Sequence, residues 1–569
     1  MALNRVLYLC LAALWFAAAQ RQPSTAGHVV CGEACHFVSG PGKGAAFGSY
    51  TDGSNSVSGW GQLHIATTEG QPDLTALRAA GYLEGWLTAE RIYDHHVNMK
   101  AFYNLSTNKP ADWLVEQDAW ARQQVAEHAS DAQWTLVGLL HAQQDGLLEG
   151  YNARVTSLQQ SLGGAAALPH LTKTDLLLVS AVGDLGDLQP ALEPRGVKLQ
   201  DMQDPGAVMA KLTETSKCSA LVKVTGNLDN LLLSHSSWFT YSGMVRIYKH
   251  YDFKLQNPAH KLQRASFSGY PGELSSDDDF YLMDTGLALL QTTNDVLDTS
   301  LYDLLTPASL LSWQRVRLAN AMATSGREWA DLVAWHNSGT YCNQYMVVDL
   351  KLFQPGRELQ PNTLWVVEQV PSLSVAEDQT QALVMGYWPS FNVPFYPAIA
   401  NASGFNRFAA ELQSRGPEWK EAAAALSHQL APRATLFRRD VGTVTDLASL
   451  KRLMRSNDYQ HDPYSLGRST SAICGRADLD ADRPRPYGCY DTKVADWASA
   501  LQLEAEGVVG PTTAGGLSPF SWSGEFASAA HLGQPEVFNF TFEVLKRDSF
   551  AEWTHTGREA LNIESLQSQ

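Results

Sequence analysis

Apolar residues recur at helical spacing over Ala76–Tyr93 and Asp112–Asp145, and Thr174–Val182 is a shorter apolar segment of the same kind. The chain ahead of Lys217 therefore reads as mainly helical after a Gly/Ser-rich opening. The texture then changes. Cys218–Thr225, Leu231–Trp238 and Gly243–Tyr251 are β-type runs joined by short turns, which predicts an antiparallel meander. Between the two textures, Asp201–Lys217 contains Pro205-Gly206 and reads as an exposed, cleavable linker. Further on, Pro307–Ala323 predicts a helix. Ser338–Asp349 predicts a turn feeding a buried strand, with Leu364–Val370 as its partner. Helices return at Gly404–Ser414 and Lys420–Leu430. Helices, then strands, then helices point to an α+β body of stacked layers.

The first nineteen residues carry one charge, Arg5, an apolar run from Val6 to Phe16, and Ala17-Ala18-Ala19. This is the pattern of a secretory signal peptide and is too short to span a bilayer. No later segment offers an unbroken apolar stretch of membrane-spanning length, so no transmembrane anchor is expected. Three sequons follow, at Asn104, Asn401 and Asn539, and are glycosylation candidates in that compartment. The composition has 42 basic against 59 acidic residues, a formal net charge of −17. Such a balance argues against nucleic acid as a partner and against anionic membranes.

Beyond Cys10 of the leader, six cysteines remain: Cys31, Cys35, Cys218, Cys342, Cys474 and Cys489. Cys474 and Cys489 bracket the loop Arg483-Pro484-Arg485-Pro486 and are the favoured disulfide. Cys31 and Cys35 would close a small loop. Cys218 heads its strand and is the candidate nucleophile. A thiol needs a base to take its proton. An N-terminal cysteine supplies its own α-amine, whose pKa of roughly 8 suits proton shuttling. That arrangement requires a cut before Cys218. The alternative is a buried, inert core cysteine.

Several motifs, in order, resemble the phospholipase B-like family. They are Cys218-Ser219-Ala220-Leu221, Ser234-His235-Ser236-Ser237-Trp238, Ser268-Gly269-Tyr270-Pro271-Gly272 and Asn337-Ser338-Gly339-Thr340-Tyr341. Gly386-Tyr387-Trp388 with Phe391-Asn392-Val393-Pro394-Phe395, Arg455-Ser456-Asn457-Asp458-Tyr459 and Cys489-Tyr490-Asp491-Thr492-Lys493-Val494 follow. The resemblance implies an N-terminal nucleophile hydrolase fold, a four-layer αββα sandwich. It implies cleavage between Lys217 and Cys218 into fragments 20–217 and 218–569 that stay associated. It also implies lysosomal or extracellular residence and removal of fatty acyl chains from glycerophospholipids. Cys342 departs from the family pattern, where another residue is expected. The same machinery would serve an amidase acting on N-acyl lipids or peptides. A non-catalytic lipid-binding glycoprotein is the reading from another class.

On the family reading Cys218 attacks the acyl carbonyl, and His235, seventeen residues on, orients the amine or thiol or else only bonds within the sheet. Trp238 walls the acyl site or fills core. Asn337 is the first candidate for an oxyanion donor, with an Asx-turn as its alternative role; Asn294 and Asn392 are further pocket candidates. Arg455 is expected in a structural salt bridge. Asp277-Asp278-Asp279 reads as a solvated loop, and the adjacent His95-His96 have poor geometry for a metal. Gly40-Pro41-Gly42-Lys43-Gly44 is not a phosphate loop, and no Gly-x-Ser-x-Gly elbow occurs. The chemistry needs no metal and no cofactor.

Overall fold

The computed structural model describes residues 24–547 except 54–55, 162–167, 195–197 and 216–217. The leader and Lys217 lie outside the described residues. Two large sheets dominate. The first has eleven strands, in the order Leu373–Asp378, Leu364–Val370, Asn343–Asp349, Leu287–Thr293, Tyr281–Met283, Arg264–Gly269, Ile247–Asp252, Gly61–Thr67, Ala46–Thr51, Ser24–Cys31 and Cys35–Ser39. The second has Cys218–Val224 and Leu231–Thr240 at its heart. Tyr387–Ser390 flanks the former strand, and Asp491–Asp496, Ala505–Val509 and Glu543–Leu545 follow the latter; Tyr487–Cys489 also pairs with Leu231–Thr240.

The packing fixes the layer order. Ala220, Val222 and Leu233 of the second sheet meet Leu290, Met346 and Val348 of the first in one core. The opposite face of the first sheet, with Leu63, Ile247 and Leu289, buries the helices Asp73–Leu87 and Ala132–Ser161 together with Ser312–Met322. The outer face of the second sheet, with Leu221, Leu232 and Val494, is covered by Phe405–Ser414, Pro432–Asp440 and Leu447–Met454. The order is helix, sheet, sheet, helix. The body is an α+β sandwich.

Strands with both faces covered carry near-continuous apolar or small residues. Cys218–Val224 is buried at every position, and so is Asn343–Asp349.

Several expectations change. The Gly/Ser-rich opening forms four strands, and Ala46–Thr51 alternates between core and partly open positions as a half-buried strand does. Gly48 in that strand passes so close to the His64 carbonyl that a Cβ would overlap it. The meander is broken at its third strand. Cys218–Val224 and Leu231–Thr240 do form an antiparallel hairpin, but the 3₁₀ turn Tyr241–Gly243 redirects the chain. Ile247–Asp252 then joins the other sheet, parallel to Gly61–Thr67. Finally, Asp201–Lys217 is not an open linker throughout, because Pro205–Thr215 is a helix with Val208 and Met209 buried.

The helices at Ala76–Tyr93 and Asp112–Asp145 each divide in two, at Thr88 and between Glu127 and Ala132. Lys420–Ala425 is shorter than its apolar pattern suggests. Both expected disulfides form, Cys31–Cys35 and Cys474–Cys489, and the second packs directly on Trp238.

Candidate active site

Cys218 opens its strand opposite Ser237, and Ala220 lies opposite His235. Residues directly opposite in an antiparallel pair share a face. The thiol, Ser237 and His235 therefore all point between the two sheets. Lys493 pairs with His235 from the next strand and joins the same face.

A small cavity of about 20 Å³ lies against the thiol, walled by Ser237, Trp238, Tyr270, Asp278 and Tyr341, and holds about one water. Phe239 lines it and also lines a far larger cavity of about 1020 Å³, with Tyr103, Asn294, Tyr302 and Tyr487 in its wall. In the intact chain Cys218 is only 3% exposed, and burial pushes its thiol up to about 12.

The backbone nitrogen of Cys218 is held separately. Its N–H donates to Asn392 Oδ1 at 3.4 Å. The orientation of that amide is fixed, since Asn392 Nδ2 donates to the Thr293 carbonyl at 2.7 Å. Arg433 completes the clamp, with Nη2 on Asn392 Oδ1 at 2.7 Å and Nη1 on the Cys218 carbonyl at 2.5 Å. Its guanidinium lies over the Trp238 ring, and burial lowers it to about 10. Asn392 adopts φ 69°, a conformation asparagine tolerates better than most residues.

Beside the thiol sits a buried ionic cluster. Lys493 Nζ donates to Asp491 Oδ1 at 2.8 Å, Ser237 Oγ at 2.7 Å and His235 Nδ1 at 3.0 Å, and also to Asp278. Arg246 pairs with Asp278 at 2.9 Å and Asp491 at 3.1 Å while its guanidinium stacks on Tyr270. Two carboxylates thus meet two cations. Burial pushes the Asp278 carboxyl up, but Arg246 and Lys493 outweigh it and hold it well below the usual range.

His235 Nε2 faces the Gln291 carbonyl at 2.8 Å, and a carbonyl only accepts. The ring proton is therefore on Nε2, and Nδ1 accepts from Lys493. Burial, then the Lys493 ammonium, drives its pKa well below normal. His235 is a neutral ring with both nitrogens engaged away from the thiol.

His235, Asp278 and Asp491 cluster closely enough to hold a metal, but Lys493 already bonds all three. A cation of the protein's own fills that place.

The asparagine candidates separate clearly. Asn392 meets the backbone nitrogen of Cys218. Asn294 lines the large cavity and donates to Glu368. Asn337 does not join the cluster: its Oδ1 accepts from Gly339 N in an Asx-turn, and its Nδ2 is bound to the Val370 carbonyl. Trp238 is buried against both the disulfide and the thiol cavity.

Asp277-Asp278-Asp279 is not a solvated loop. Asp278 and Asp279 are buried; Asp278 is neutralised by Arg246 and Lys493, while burial pushes the Asp279 carboxyl well above its usual range. Arg455 bonds the Gly510 carbonyl and forms no salt bridge among the described residues. His95 is buried on Glu273, and Cys342 is a buried free thiol donating to the Gly339 carbonyl.

Sequence reasoning passed over Arg433, Lys493, Asp278 and Ser237 as site residues. Lys493 and Ser237 lie inside the quoted motifs, which was an available signal. Arg433, behind Pro432 at a helix start, carries none.

Comparison with known proteins adds the decisive observation. The phospholipase B family profile matches residues 46–545. The chain belongs to the phospholipase B family. It is 42% identical over 510 residues to phospholipase B-like 1 of Rattus norvegicus, covering 89% of this chain and 88% of the relative. It is likewise 42% identical over 510 residues to a phospholipase B of Crotalus adamanteus, covering 89% of each chain. A more distant relative, phospholipase B-like protein D of Dictyostelium discoideum, is 36% identical over 517 residues, covering 89% of this chain and 88% of the relative. Membership of the phospholipase B family makes the chain a hydrolase. The matched span includes Cys218, Asn392, Arg433 and Lys493. No helix of the described residues is long and apolar enough to cross a membrane.

Proposed function

We propose that this protein is a self-processing acyl hydrolase that removes fatty acyl chains from glycerophospholipids through a thioester on Cys218. The fold is read as that of an N-terminal nucleophile hydrolase. One observation carries the reading: among the described residues no side-chain base hydrogen-bonds the Cys218 thiol, whereas its α-nitrogen is gripped by Asn392. His235 is committed elsewhere, so the base available to the thiol is the amine that a cut before Cys218 would free.

In the first step the thiol attacks the Lys217 carbonyl, the Cys218 nitrogen takes the proton, and the C–N bond breaks to leave a thioester. That cleavage frees the α-amine, and water then hydrolyses the thioester to release the Lys217 carboxylate and the free thiol. In turnover the amine takes the thiol proton, sulfur attacks the lipid acyl carbonyl, and the leaving alcohol takes the proton back. Water then releases the fatty acid. The cavity beyond Phe239 is of a size to take a lipid, and the names of the relatives support a phospholipid substrate. The leader pattern and the exposed Asn104, Asn401 and Asn539 support passage through the secretory pathway as a glycoprotein. The helix Asp73–Leu87 and its neighbours pack on the first sheet, which supports continued association of the two fragments after a cut.

The test is N-terminal sequencing of the larger fragment after exposure to mildly acidic pH, followed by assay of fatty-acid release from phosphatidylcholine in mixed micelles. A fragment beginning at Cys218, with release abolished in Cys218→Ala, is the expected result. An intact chain that still releases fatty acid would refute the mechanism.

A further inference from the structure

Glu368 lies on the strand Leu364–Val370 and is fully buried. Among the described residues no lysine, arginine or histidine pairs with it. Instead its carboxylate accepts four N–H groups: Phe395 N at 2.8 Å, Tyr396 N at 2.9 Å, Gln344 Nε2 at 2.7 Å and Asn294 Nδ2 at 3.3 Å. Leaving a carboxylate buried without a cation is expensive unless its lone pairs are all used. Here they are used on two segments that meet at Asn392.

The first segment is Thr293-Asn294, at the end of its strand. Asn294 bonds Glu368, and the preceding residue, Thr293, supplies the carbonyl that fixes Asn392 Nδ2. The second is the loop that carries Asn392 itself, bonded to Glu368 through Phe395 and Tyr396. Gln344 is locked in turn, because Trp388 Nε1 donates to its Oε1 at 3.1 Å and leaves its Nε2 to face the carboxylate. Both anchors of the Asn392 side chain are thus tied to one group. Asn392 sits at φ 69°, so its loop needs holding.

We propose that Glu368 is the positioning residue of this site, fixing Asn392 and through it the α-nitrogen of Cys218. The inference rests on the reading that this nitrogen is the working base. Glu368 touches no substrate; it sets the direction from which Asn392 Oδ1 receives the amine. A glutamine in its place would keep the shape but turn an N–H toward backbone N–H donors.

The experiment is a double-mutant cycle on the full chain, using hydrolysis of a soluble p-nitrophenyl acyl ester, with Glu368→Gln, Asn392→Ala and the pair. Glu368→Gln should lower kcat about 10- to 100-fold with KM within about twofold, since misplacement rather than lost binding is at issue. In the Asn392→Ala background Glu368→Gln should add no more than about a threefold loss. Multiplicative losses, or unchanged kcat in Glu368→Gln, overturn the proposal. If Glu368→Gln does not fold, Gln344→Met keeps the carboxylate and removes one donor, and its smaller loss must be non-additive in the same way. A wild type that self-cleaves but hydrolyses no ester defeats the functional reading alone, and the cycle is then read on the rate of appearance of the Cys218-terminated fragment. A wild type that does neither defeats both.

Discussion

Asn392 Oδ1 accepts from the Cys218 nitrogen and from Arg433 at once, while its Nδ2 is held by the Thr293 carbonyl. This makes Asn392 Oδ1 an acceptor aimed at the nitrogen that the proposed cut would free as an amine. Arg433 matters through the same atom. Asn392→Ala is expected to reduce kcat for acyl-ester hydrolysis by about 100-fold, an effect of lost orientation rather than affinity. Arg433→Met should slow the appearance of the Cys218-terminated fragment as well, measured by mass spectrometry over time.

Lys493 joins Asp278 and Asp491 to His235 in a buried cluster. Lys493→Met leaves two carboxylates against Arg246 alone and is expected to cost about 3–5 kcal/mol, read from denaturant unfolding. Asp278, held well below its usual pKa, contributes stability above the ordinary carboxylate range and loses it on acidification. That acid-side loss should shrink in the variant.

Glu273 gives stability the opposite dependence on pH. Burial raises its pKa from 4.5 to about 8, and its neighbour His95 is lowered to about 3 by burial first and then by Arg246 and Lys249. The two meet as a neutral pair at 2.8 Å. Between pH 4.5 and 6.5 the unfolded chain has lost the Glu273 proton but carries one on His95, so the pair's two effects cancel. Between pH 6.5 and 8 the folded chain alone keeps a proton on the pair, so stability falls as pH rises, by about 1.4 kcal/mol per pH unit at most. Thermal unfolding across this window should show the slope in the wild type, and Glu273→Gln should flatten it.

The site also draws on the chain ahead of Cys218. Gly183, near the start of the helix Val182–Leu192, lies against the Tyr341 ring and Asp277, where a Cβ would come within 2.8 Å of the ring. Gly183→Ala should displace Tyr341 from the thiol cavity at about 1–3 kcal/mol of overpacking. Activity is expected to fall more than the melting temperature does, as checked by parallel kinetics and calorimetry.

The hairpin of Cys218 and His235 was legible because β-type runs and a short turn are local signals. So was the Cys474–Cys489 bridge around a proline-rich loop. The placement of Asn392 rather than Asn337 beside Cys218 was not, since both lie in turns and only the facing strand decides which reaches Cys218. Asp278 looked solvated because three adjacent acids ordinarily are, and its cations come from Arg246 and Lys493, 32 and 215 residues away. The third strand of the expected meander was misplaced for a related reason: a short strand buried on both faces fits either sheet. Local pattern reveals elements; long-range charge neutralisation and sheet choice belong to the folded whole.

The parallel pairing of Gly61–Thr67 with Ile247–Asp252 joins the four strands formed before Cys218 to the rest of the eleven-stranded sheet. Assembly of a sheet across that seam is favoured while both sides belong to one molecule at high effective concentration. If the bond before Cys218 is then cut, the pieces remain interlocked, but unfolding releases two independent chains. Heat or denaturant would turn a reversible transition into a concentration-dependent, practically one-way loss. Maturation would thus exchange the capacity to refold for a reactive amine.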